Sequence, residues 1–138
     1  MVKAEKIICN RGAAAVEAAI ILPLLLLITF AVIEYGWLFL KSQQITNAAR
    51  NGARVAIRYV PGEICADTTA RAKAQIDDLM AKARISGYSV NVICPPNVGD
   101  PLTVTVSVPS ANVDIVNYSL LPRPTNIRAS VTMAKEGP

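Results

Sequence analysis

The segment Gly12-Ala13-Ala14-Ala15-Val16-Glu17 runs straight into an uncharged apolar tract from Ala18 to Ile33. As a helix that tract rises roughly 24 Å at about 1.5 Å per residue, slightly less than a hydrocarbon core of about 30 Å. Counted instead from Ala13 to Glu34, the helix rises about 31 Å, which puts Glu34, Tyr35 and Trp37 at the far interface, where aromatic belts sit. The tract therefore reads as a bilayer-spanning helix, provided that Glu17 is tolerated about one turn inside the near surface.

Several short stretches around this tract belong together: Arg11-Gly12, Val16-Glu17, Pro23, the aliphatic run, Glu34-Tyr35-Gly36, and Ala48-Ala49-Arg50-Asn51-Gly52-Ala53-Arg54. The start resembles a class III, type IV-related prepilin. With the residues after it, the chain resembles the TadE-like minor pseudopilins of tight-adherence (Flp/Tad) pilus systems. The likeness is specific over roughly the first 60 residues, and beyond them it is architectural. It implies a precursor in the bacterial inner membrane, cut by a prepilin peptidase between Gly12 and Ala13, that helps to assemble or initiate a Flp/Tad-type pilus for adhesion. It also implies partners: other pilins and pseudopilins (Flp-like and TadF-like), the Tad secretion platform and membrane lipid.

The residues make physical sense of such a cut. Cleavage leaves a free amine on Ala13, and positions four apart share a helical face, so the new cation can meet the Glu17 carboxylate in the same chain or across to a neighbour. A lone carboxylate is costly at low dielectric, whereas a paired one is tolerated. The other reading of Glu17 is a carboxylate lying in the headgroup layer. Pro23 withholds an amide from the carbonyl of Ala19, which either loosens the helix for assembly or leaves a harmless kink. Glu34 selects a partner helix or, as its depth favours, simply meets water at the interface.

Composition narrows the classes. Of 138 residues 52% are hydrophobic and mean hydropathy is +0.37, yet 17% are charged, so the apolar excess sits in one segment. The net charge of +4 is spread out and aromatics are 5%, which gives nucleic-acid binding little support. There is no histidine, hence no Ser-His or Cys-His pair; no P-loop, dinucleotide loop, HExxH or S-x-x-K stretch occurs either. The chain reads as a peptidase substrate rather than an enzyme, with no cofactor and no metal, since two cysteines without histidine fall short of four ligands.

Cys9 falls in the leader and leaves with it. Cys65 and Cys94 remain, read as a disulfide closing a loop of about 30 residues and contributing on the order of 3 kcal/mol, or as two buried thiols. Lys3, Lys6 and Arg11 precede the span, and Lys41, Arg50, Arg54 and Arg58 follow it, so charge does not orient the helix. A cytoplasmic amino terminus and an extracytoplasmic C-terminal domain rest on the family resemblance and the cysteine pair.

Past the span the helical pattern continues to Pro61-Gly62, for a helix of about 70 Å from Ala13 to Tyr59. Ile45, Ala49, Gly52, Ala53, Ala56 and Val60 form a narrow face of mostly small side chains suited to a sheet or another helix. Arg50, Arg54 and Arg58 make a stripe that docks an acidic partner or is simply solvated. A second helix, capped by Asp67 or Thr68, runs to about Ile85 with Ala72, Ile76, Leu79, Met80 and Ala83 inward and Gly87 as its stop. Period-two patterns over Tyr88 to Cys94, Thr103 to Val108 and Ile127 to Met133 give three strands, and Ser110 to Pro124 reads as a long connection. The expected fold is α+β and pilin-like: a leader at 1–12, a transmembrane and stalk helix at 13–60, and a head of one helix and a small antiparallel sheet at 61–138. The rival is a permanently anchored envelope protein whose small head binds a ligand or partner.

Overall fold

Alternation of β-branched and hydroxylated residues lays down the sheet. In β2 (Pro101–Pro109) Leu102, Val104, Val106 and Val108 are fully buried, while Thr103, Thr105 and Ser107 between them face outward and are half-buried. Burial of each such aliphatic side chain is worth roughly 1.5–3 kcal/mol. β2 is the centre of a three-stranded antiparallel sheet in the order β1-β2-β3, with β1 at Ser89–Ile93 and β3 at Asn126–Ala134. The register sets Val92, Val104 and Val131 in one row and Val90, Val106 and Ala129 in the next, so every strand presents its apolar set to the same side. On the other side Thr103 and Thr132 share a hydrogen bond of 2.8 Å, and Thr105 and Ser130 one of 3.0 Å.

The computed structural model describes residues 11–113 and 124–137. The leader through Asn10, including Cys9, and most of the Ser110 to Pro124 connection lie outside the described residues. The chain divides into two units, Met1–Ile33 and Glu34–Pro138, and one long helix, α1 (Arg11–Ile57), contributes to both. The α+β fold read from the sequence is borne out.

In the second unit, two helices cover the apolar face of the sheet. The small-residue face of α1 is buried as its spacing predicts: Ile45, Ala49 and Ala53 are inaccessible, and Leu38, Ala48 and Ala56 join them. Val60 does not, because α1 ends at Ile57 and Val60 lies exposed beyond it. The helix α2 (Cys65–Lys82) contributes Ala72, Ile76 and Met80 to the same core, with Leu79 and Ala83 packed at its margin. At Gly52 α1 passes close to Ile76 of α2. A Cβ placed on it would stand 2.6 Å from Cδ1 and 2.7 Å from Cγ1 of Ile76. A side chain there would force that of Ile76 to shift.

The connections follow local chemistry. Val60-Pro61-Gly62-Glu63 is a turn closed by the Glu63 amide donating to the Val60 carbonyl at 3.2 Å; proline sits second and Gly62, at φ 78°, takes the left-handed third position of a type II turn. Two expectations about α2 are corrected. It begins at Cys65, ahead of the expected caps, with Ile64 at the cap position offering no side-chain bond. It ends at Lys82 with Ala83 as its cap, short of the expected end near Ile85 and the expected stop at Gly87, because Arg84 itself turns left-handed at φ 53°. The Ile85 amide then donates to the Met80 carbonyl and the Arg84 amide to the Ala81 carbonyl, the double closure of a Schellman motif, with Ile85 and Met80 both in the core.

Candidate functional site

Gly12 and Ala13 lie on helix α1, which is described from Arg11 onward, and glycine lowers helix propensity by about 1 kcal/mol relative to alanine. Ala13 and Glu17 are four positions apart on this helix, and both are exposed.

Beyond them the first unit has an apolar surface on every face. Ile20 is 71% exposed, Leu24 61% and Val32 68%, and Ile21, Leu22, Leu25 and Ile28 are exposed as well. Side chains of this kind need a cover, and among the described residues none of the most apolar window of α1, of mean hydropathy 2.7, is buried. By length and composition it can cross a membrane. Pro23 is accommodated without breaking the helix, and Thr29 donates back to the Leu25 carbonyl at 2.8 Å, a local polar bond compatible with an apolar setting.

The polar residues singled out from the sequence fall in the second unit in three different environments. Glu34 is half-buried, and its Oε1 is enclosed with no hydrogen-bond partner among the described residues. Arg50, Arg54 and Arg58 are all exposed, two of them on α1 and the third just past its end, and among the described residues none takes part in an ion pair. Cys65 opens α2 and is exposed, whereas Cys94 follows β1 and is half-buried; both thiols are free, and Cys65 Sγ lies 3.8 Å from the Cys94 carbonyl. Burial pushes the Cys94 thiol up, and the Cys65 thiol beside it adds to the effect.

Three polar contacts were not read from the sequence. Lys41, counted there as a flanking charge, is buried: its Nζ donates to the Ala83 carbonyl at 2.7 Å and lies 4.8 Å from the Trp37 ring centre. It thereby serves the negative end of α2. Trp37, expected at an interface, donates its Nε1 to the Val113 carbonyl at 2.7 Å. Tyr88 donates to Asp77 at 2.6 Å, and burial, this bond and the Asp77 charge together push the phenol up to about 12. The signal for Lys41 was present in the spacing, since it falls at the core-face position between Leu38 and Ile45.

Residues 12–54 match the family of TadE-like proteins, so the resemblance read from the sequence is borne out over that span. The match takes in the junction, the apolar stretch and most of the small-residue face of α1. No curated protein and no solved structure matches the chain.

Proposed function

We propose that the protein is a minor pseudopilin, made as a membrane-anchored precursor and activated for pilus assembly by a prepilin peptidase that cuts between Gly12 and Ala13. The observation that carries this reading is the apolar stretch of α1: a helix apolar on all sides, uncovered among the described residues, and interrupted by one acid at the fifth position beyond the cut. Before cleavage the Glu17 carboxylate has no ammonium at Ala13 to neutralise it. Afterwards the α-amine of Ala13 lies on the same helical face, and the pair can enter a low-dielectric contact at far lower cost than the acid alone. Pairing within the chain makes the helix acceptable to lipid, and pairing across to another subunit ties it to a neighbouring helix.

In this account the apolar faces pack against sibling pilins and pseudopilins, the head lies outside the inner membrane, and the Arg50, Arg54 and Arg58 stripe is left to meet acidic surfaces of the secretion platform or of those siblings. Glu17→Gln in the native host tests the electrostatic step: the variant remains in the membrane fraction but no longer copurifies with the other pilins, and pili are lost. Normal pili with Glu17→Gln overturn the step. Full function from a population that retains its leader, read by intact mass, favours the rival reading of a permanent anchor.

A further inference from the structure

We infer that Cys65 and Cys94 form a directional thiol–disulfide pair, in which Cys65 attacks the oxidant first and Cys94 then closes the bond that ties the start of α2 to the end of β1. The geometry brings the two residues together: Cys65 Sγ is 3.8 Å from the Cys94 carbonyl, and Cys94 Sγ is 3.9 Å from the neighbouring Pro95 carbonyl. Their environments differ. Cys65 is exposed and stands in the first turn of an 18-residue helix, whereas Cys94 is half-buried against the core. Burial and the neighbouring Cys65 thiol hold the Cys94 proton on; Glu63 adds to this and Lys135 opposes it. Cys94 is therefore the poorer first nucleophile and the better placed second one.

The exchange balances with an oxidised low-molecular-weight disulfide as the oxidant. The Cys65 thiolate attacks one sulfur of the oxidant; a mixed disulfide forms and one thiolate leaves. The Cys94 thiolate then attacks Cys65 Sγ, displaces the second thiolate, and the two protons lost by the cysteines end on the two reduced thiols. The product joins two pieces of the head otherwise linked through the turn after Lys82. In the cell this step rests on the reading that the head is extracytoplasmic, where disulfides form and persist.

The test uses the full-length protein in detergent, with Cys9→Ser to silence the third cysteine, exposed to oxidised glutathione. The expected result is one intramolecular bond, seen as a Cys65–Cys94 crosslinked peptide lighter by two hydrogens than the reduced pair. Cys94→Ser should accumulate glutathione on Cys65, and Cys65→Ser should take it up at Cys94 at least tenfold more slowly, with melting curves confirming that both variants fold. Two alkylatable thiols after oxidation of the Cys9→Ser protein, or disulfide-linked dimers alone, overturn the pair; equal uptake by the two serine variants overturns the direction. Alkylation in intact native cells separates the compartment from the chemistry, because free thiols there, with a bond that closes in detergent, count against an extracytoplasmic head and leave the pair standing.

Discussion

Helix α1 holds two sequences that obey different rules. Over residues 12–33 almost every side chain is apolar and every face is exposed, and Tyr35, Phe39 and Leu40 extend the exposed apolar surface, whereas over residues 42–57 small and aliphatic residues occupy one face and are buried while arginine, asparagine and glutamine stand on the others. The hydrogen-bonded helix is the same in both. What differs is the identity of the solvent each is written for: the first is complementary to something outside the chain, and the second to the chain's own sheet. Secondary structure alone does not distinguish them; the angular distribution of apolar side chains does.

That contrast is open to breakage by mutation, most strongly at the core. Ile76→Ala removes an inaccessible side chain facing Gly52 and should lower the stability of the head by about 3–4 kcal/mol in a urea titration. Leu24→Ala, in the exposed apolar stretch, should leave the same transition within about 0.5 kcal/mol while weakening partition into lipid vesicles. Comparable losses from the two changes would erase the distinction between the regions. Gly52→Leu drives new atoms into Ile76 and should cost about 2–3 kcal/mol, measured in the same titration.

Smaller effects sharpen the boundary. Lys41→Met keeps an apolar stem of similar length but leaves the Ala83 carbonyl at the end of α2 without its donor, with an expected loss of about 1–2 kcal/mol. No measurable loss would show that Lys41 acts as an interfacial charge rather than a helix cap. The mildest effect concerns Tyr88. The folded head holds its phenolic proton up to about 12, above the ordinary value of 10.0, so this contribution is intact below pH 10 and fades as pH rises through 12. Tyr88→Phe should flatten that alkaline part of the stability profile and leave the neutral part nearly unchanged.

Much of this was legible beforehand because it is periodic. The 3.6-residue spacing of Ile45, Ala49 and Ala53 and the two-residue spacing of Val104, Val106 and Val108 mark core faces that the structure buries. The apolar tract and the junction before it were equally plain. What escaped was non-local or conformational. Trp37 and Lys41 bond to carbonyls 76 and 42 residues away, and no spacing near either residue encodes those partners. The stop of α2 was assigned to Gly87 because glycine tolerates left-handed backbone, yet Arg84 adopts it, held by two amide bonds and by Ile85 entering the core. In the candidate site, the acid, the small-residue junction and the cysteine pair could be named from sequence, but the closeness of Cys65 and Cys94 depends on how α2 and β1 pack.

The most direct examination of the proposed role is the amino-terminal sequence of the protein extracted from the membranes of its native host while pili are being assembled. The account predicts Ala-Ala-Ala-Val-Glu, beginning at Ala13 with a free amine. A terminus at Met1 in that assembling population, or a new amine anywhere other than on Ala13, would contradict it.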